Sequence, residues 1–94
     1  MPVPFFGVEF TFTQPDGSKF RVKGWGDQFY AIFETLDGYT IIKDPQTGFY
    51  EYARLSSNKN RLEPTGARVG IADPEILGLE KHTRVSKKIA KYTL

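Results

Sequence analysis

The fold is decided by residues 24–55, which read GWGDQFYAIFETLDGYTIIKDPQTGFYEYARL. Three apolar runs in this stretch are separated by the triplet LDG at 36–38 and by the segment DPQTG at 44–48. Both separators are typical of β-turns, because proline presets φ at the second turn position and glycine accepts the positive φ that closes the loop. The stretch therefore predicts two successive hairpins, which together form a β-meander.

A further hairpin is predicted before this stretch. Apolar and polar residues alternate from Val8 to Thr13, which is the pattern of a strand with one buried face. The segment QPDGS at 14–18 suits a three-residue hairpin loop closed by a glycine of positive φ. Counting outward from that loop pairs Phe12 with Phe20 and Phe10 with Val22. This register places all the large apolar residues of the hairpin on one face.

The link between the first hairpin and the meander admits two interpretations. The glycines around Trp25 indicate a bend in which the indole covers the core edge, or else an exposed indole that contacts a partner. Residues 29–34 form either a strand or a short helix capped by Asp27. We favour the strand, because the segment runs directly into the LDG turn. A helix over 27–34 would make the domain α+β.

The second half of the meander is apolar on both faces. The DPQTG loop pairs Ile42 with Glu51 and Ile41 with Tyr52, which puts four large side chains on one face: Tyr39, Ile41, Tyr50 and Tyr52. The opposite face is not clearly polar either. Such a ribbon is either sandwiched inside the domain or leaves one face for a partner.

The remainder of the chain predicts an edge strand, a helix and a tail. Residues 61–63 form a short edge strand that Pro64 and Gly66 end. Asp73, followed by Pro74, is typical of a helix start. We therefore expect a mainly β fold. It comprises an antiparallel meander of hairpins with about five strands over residues 1–72, then a short helix and a basic linker or tail over 73–94.

The composition limits the classes of function that the chain can have. Ninety-four residues suffice for one domain. Residues 1–70 carry eight basic and eight acidic side chains, whereas 81–94 carry five basic ones and no acid, so a nucleic-acid partner is not expected for the body. Cysteine is absent, which excludes disulfides and thiolate chemistry. No apolar run is long enough to cross a membrane as a helix. We expect a monomer without membrane contact.

The residues provide no recognisable catalytic constellation. The single histidine, His82, stands in the basic tail, where a solvated side chain is expected. The H-E-x-x-H motif is missing, and Asp27, Asp37 and Asp44 each have a turn or cap role rather than the spacing of a calcium loop. The sequence therefore predicts no enzyme, no metal site and no cofactor.

Several strings resemble the region that precedes the catalytic domain in secreted bacterial zinc metalloproteases of the immune inhibitor A type. These strings are FTQPDGS, WGDQFYAIFETLDGYTIIKD, GFYEYA, a Leu-x-Pro-x-Gly segment and DPEILGLEKH. The resemblance spans residues 5–82. It departs at Gln28, where an acid is usual, and the catalytic H-E-x-x-H module is absent.

The resemblance implies a secreted or extracytoplasmic, propeptide-like domain that covers or inhibits a metalloprotease catalytic domain, in cis or in trans. The candidate partner surface comprises Trp25, Asp37, Tyr39, Tyr50 and Tyr52, with Asp37 at a turn tip where a carboxylate could reach the zinc. The alternative function is a small β-barrel module that binds single-stranded nucleic acid or carbohydrate through its aromatic face.

Overall fold

The computed structural model describes residues 5–26 and 31–85 of the chain. Six antiparallel strands form one open sheet in which each strand pairs with the next along the chain. The strands are β1 (Phe5–Thr13), β2 (Lys19–Gly26), β3 (Ala31–Thr35), β4 (Thr40–Lys43), β5 (Tyr50–Leu55) and β6 (Leu62–Arg68). The predicted mainly β meander is confirmed.

The hairpin registers agree with those derived from the turns. Phe12 pairs with Phe20 and Phe10 with Val22 in the first hairpin, and Ile41 pairs with Tyr52 in the last predicted one. Gly17 has φ of 90° and Gly38 has φ of 94°, as their turn positions require. Local turn chemistry therefore sets the register of these hairpins.

Alternation along the strands gives the sheet two distinct faces. The inner face carries Phe10, Phe12, Phe20, Val22, Phe33, Ile41, Tyr50 and Tyr52. The outer face carries Glu9, Thr11, Arg21, Lys23, Glu34, Thr40, Ile42 and Glu51. Buried members of the inner face, together with Tyr39 and Val69, form the hydrophobic core.

The sheet is strongly curled around its inner face. In a flat sheet β1 and β5 would lie about 19 Å apart, four strand spacings of nearly 5 Å. Instead the rings of Phe12 and Tyr50 stack with centroids 4.8 Å apart. Gln14, which is 3 % exposed, receives a hydrogen bond from the backbone N–H of Tyr50 at 2.7 Å and donates to the carbonyls of Tyr50 and Val69. The Gln14 amide therefore joins the end of β1 to β5 and to the residue after β6.

Trp25 does not mark a bend between hairpins. It lies within β2 and pairs with Phe6 on one side and Ile32 on the other. The preceding glycine is explained by packing, since a Cβ at Gly24 would come within 2.7 Å of the Phe33 ring. Glycine here makes room for aromatic rings and does not turn the chain.

The edge strand β6 is longer than predicted. It runs through Pro64 and Gly66, which the sequence interpretation took as its end. Pro64 pairs with Ala53 near an irregularity in β5, and the missing ladder bonds are replaced by side chains. Thr65 donates its hydroxyl to the Tyr52 carbonyl, and the Gly66 N–H donates to the Glu51 carboxylate. A proline is tolerated because β6 lies at the sheet edge.

The predicted C-terminal helix is not shown. Asp73 does accept a hydrogen bond from the Glu75 N–H, which is the expected cap contact, but only a turn follows and Gly78, with φ of 72°, redirects the chain. No helix occurs within residues 5–26 and 31–85. Residues 31–34 of the ambiguous segment lie in β3, whereas Asp27 and the rest of 27–30, like the tail 86–94, lie outside the described residues.

Candidate docking groove

The five residues predicted to form a partner surface occupy three different places. Tyr39 and Tyr52 are buried in the core, with rings 6.1 Å apart. Asp37 is exposed at the tip of the β3–β4 turn. Tyr50 and Trp25 are half-buried; Tyr50 lines a concave surface, and Trp25 pairs with Ile32, another of its lining residues. The predicted residues therefore do not form one continuous patch.

The concave surface is an apolar groove where β3 and β4 diverge. Its cavity has a volume of about 420 Å³, within the range of ligand and side-chain pockets. We call it the docking groove, and it is lined by Ala31, Ile32, Phe33, Ile41, Ile42, Lys43, Tyr50, Asn60, Arg61, Leu62 and Val85. Trp25 flanks the groove through its pairing with Ile32.

Two cations stand among the apolar side chains of the docking groove. The Lys43 ammonium lies 5.9 Å from the centroid of the Tyr50 ring. Arg61 is largely exposed, and its guanidinium approaches Glu63 only to 3.9 Å, which is too long for a hydrogen bond. The residues that line the groove include no aspartate or glutamate. The groove therefore combines an apolar surface with positive charge.

One end of the docking groove is built by the C-terminal segment 79–85, which we call the strap. It crosses the outer face of the sheet and ends at Val85, a lining residue of the groove. The His82 N–H donates to the Gly38 carbonyl at 2.8 Å, and the Thr40 hydroxyl donates to the Thr83 carbonyl at 2.9 Å. These bonds attach the strap to β4 and to the turn before it.

A buried carboxylate on β3 holds the strap in place. Glu34 is 1 % exposed, and its oxygens lie 2.7 Å from the Arg84 guanidinium and 3.0 Å from His82 Nδ1. Arg84 also lies over the Trp25 ring, with its Cζ 5.4 Å from the centroid. A buried carboxylate requires such partners, since desolvation without them costs several kcal/mol. Glu34 is thus the anchor of the strap.

The backbone at His82 is strained, which indicates how firmly the strap is held. Its φ is 58°, in the left-handed region that residues other than glycine rarely adopt. Such a conformation persists where surrounding contacts over-determine it. At His82 these contacts are the backbone bond to Gly38 and the ring contact to Glu34.

Sequence interpretation missed most residues of this site. Glu34 falls on the outer-face alternation, so the pattern assigns it to solvent. His82 was expected to be solvated, and its ring is indeed 69 % exposed while Nδ1 contacts Glu34. The two groove cations lie in turn and strand-end positions that ordinarily carry solvated charges. No local signal in the sequence distinguishes these residues. For Glu34 the reason is separation along the chain, since its partner His82 is 48 residues away.

Burial in the core changes the pKa of one titratable group, the phenol of Tyr52. Desolvation raises the pKa of the Tyr52 phenol above its ordinary value of 10.0, and the nearby charges of Asp37 and Asp73 raise it further.

Within residues 5–26 and 31–85, no group of three His, Cys, Asp or Glu side chains is placed to hold a metal ion. The same part of the chain contains no helix that could cross a membrane.

No protein-family model, no curated protein and no solved structure matches this chain.

Proposed function

We propose that this chain is a non-catalytic, propeptide-like domain that docks on a secreted zinc metalloprotease domain and covers it. The resemblance over residues 5–82 supports the partner class. The observation that carries the proposal is the position of the strap, which reaches the docking groove at Val85, one of its lining residues. The chain continues after Val85 through residues 86–94, so a protease domain that followed them in a precursor would be tethered within about 30 Å of this groove.

That proximity favours docking in cis. A segment tethered next to its binding site acts at a high effective concentration, so even a modest groove can hold it. Glu34 and its contacts to Arg84 and His82 keep the start of the tether in place. The basic composition after the strap, with Lys87, Lys88 and Lys91, suits a linker that a protease can cut.

The buried positions of Tyr39 and Tyr52 favour the propeptide-like function over a module that binds nucleic acid or carbohydrate. Base or sugar stacking needs exposed aromatic faces, whereas these two rings are buried. Tyr50 is half-buried and sits at the groove. Blocking by steric cover, with Tyr50 in the contact, is therefore the mechanism we favour. Asp37 at its turn tip stays available for a contact with the zinc.

The proposal is tested by titrating the chain into the catalytic domain of an immune inhibitor A type metalloprotease while a fluorogenic peptide is hydrolysed. We expect saturable inhibition by the chain. Tyr50→Ser should weaken the inhibition, whereas Thr11→Ser, an exposed change on the outer face of β1, should not. Melting curves of both variants show whether they are folded.

Two results would overturn the proposal. One is hydrolysis that stays unchanged at all concentrations of the folded chain. The other is salt-dependent binding of a single-stranded oligonucleotide, which would favour the nucleic-acid module instead.

A further inference from the structure

The chemistry of the docking groove restricts what can occupy it. Its walls are mainly aliphatic, from Ile32, Ile41, Ile42, Leu62 and Val85. An aliphatic pocket of this kind gains free energy by burying a large apolar side chain. The two aromatic lining residues, Phe33 and Tyr50, are half-buried and pack on Phe12, which favours a protein occupant over an oligonucleotide that stacks on exposed rings.

The charge of the groove restricts the occupant further. Lys43 and Arg61 are both exposed cations at its margin. Among the described residues no acid lines the groove, although Glu63, which is paired with Arg54 at 3.3 Å, lies 3.9 Å from Arg61. A carboxylate placed beside the apolar side chain would therefore be attracted, and at a partly desolvated margin this attraction sets specificity. The chain's own tail does not fit this requirement, because residues 86–94 carry three lysines and no acidic side chain.

We propose that the docking groove binds a protein segment in which a large apolar side chain is followed, within two residues, by an aspartate or glutamate. The apolar side chain enters between Ile42 and Leu62, and the carboxylate contacts Lys43 or Arg61. The inference rests on the proposed function only for the source of the segment, the protease domain. The chemistry of recognition comes from the groove alone.

The test uses the full chain, labelled with ¹⁵N, and a panel of acetylated and amidated hexapeptides. Each peptide carries Leu, Ile, Phe or Met, followed one or two positions later by Glu or Asp. Matched peptides replace the acid by its amide, and others replace the apolar residue by Ser. We expect saturable shifts of the amide resonances of groove residues with acidic peptides, and affinity about fivefold lower with the amide peptides. The Ser peptides should lose more than about tenfold.

Substitutions of Lys43 and Arg61 test whether the positive charge of the groove contributes to peptide binding. Lys43→Gln and Arg61→Gln should each weaken binding of an acidic peptide about threefold to fivefold and leave binding of its amide counterpart unchanged. Lys19→Gln, an exposed cation at the start of β2, is the control and should bind as the parent does. All three positions are exposed, so the amide spectra should show intact folds.

Several results would overturn the inference. These are an affinity that does not depend on the peptide carboxylate, shifts that map outside the groove, or no saturable shift with any peptide of the panel. Groove shifts that depend on protein concentration without peptide would assign the groove to a second copy, and stronger shifts with oligo-dT would assign it to nucleic acid. Peptide binding without inhibition of the protease would leave the inference standing and refute the proposed function alone.

Discussion

On the inner face of the sheet Phe12 contacts four other aromatic rings, whereas on the outer face Glu34 contacts the Arg84 guanidinium and the His82 imidazole. The inner contacts are apolar, with ring centroids between 4.8 and 6.4 Å apart. The outer contacts are polar and join β3 to a strap some 50 positions further along the chain. The inner face is thus stabilised by the packing of aromatic rings and the outer face by polar contacts of a buried carboxylate.

The difference shows what each face contributes. Apolar burial is not directional, so the aromatic face supplies stability over its whole area. Ion pairs on a partly buried surface add less free energy but depend on geometry. The outer contacts therefore set where the strap lies, and with it where Val85 completes the docking groove.

The largest expected effect is on the inner face. Phe12→Ala should lower the free energy of unfolding by about 3 kcal/mol, because it removes a ring packed against Phe33 and Tyr50. A domain of this size has about 5–15 kcal/mol in total. Thr11→Ala, one residue away on the outer face, should change it by less than about 0.5 kcal/mol. Urea unfolding measures both, and equal effects would refute the assignment of the two faces.

The second prediction concerns the contact that closes the curl. Gln14→Ala should cost about 2 kcal/mol, because it leaves the Tyr50 N–H and the Val69 carbonyl without their buried partner. The matched control is Gln46→Ala, since Gln46 is exposed in the 44–48 turn. Chemical denaturation of the two variants gives the comparison. If both changed stability equally, the amide of Gln14 would not be what holds β1 to β5.

The third prediction compares two ion pairs on the outer face, one with a buried carboxylate and one with both side chains exposed. Arg84→Gln should cost about 1–2 kcal/mol, because Glu34 stays buried and loses its 2.7 Å partner. Arg21→Gln removes an ion pair with Glu9 whose side chains are both exposed, and should cost about 0.5 kcal/mol or less. Thermal unfolding at low and high salt distinguishes them, since the exposed pair is the more strongly screened. A reversed order would show that Glu34 does not anchor the strap.

The smallest expected effect is a pH dependence on the inner face. Because the pKa of Tyr52 is raised in the folded state, its contribution to stability is complete below the unfolded value of 10.0 and is lost as the pH rises through the folded pKa. Tyr52→Phe should therefore lose less stability than the parent between pH 9 and 11.5. Unfolding midpoints across this range provide the measurement, and identical slopes would contradict the assigned burial of the phenol.

Much of the fold could be predicted because its signals are local. Alternation from Val8 to Thr13 and the turns at 14–18, 36–38 and 44–48 determined the hairpins, their registers and the apolar face. Each of these depends on residues a few positions apart. Of the candidate surface, Tyr50 and Trp25 were placed at or beside the groove, whereas Tyr39 and Tyr52 are in the core. The pattern could not separate these residues, since all four are large aromatics within the same meander.

By itself, then, the sequence determined the antiparallel meander, the pairing of Phe12 with Phe20 and of Ile41 with Tyr52, and the positive φ of the turn glycines. Only the tertiary structure decided the curl, the course of the strap and the docking groove. These features depend on contacts between distant residues, such as Gln14 with Val69, 55 positions apart, and Glu34 with His82, 48 positions apart. Such contacts arise from how far the sheet twists and closes, and neither hydrophobic period nor turn chemistry encodes that quantity.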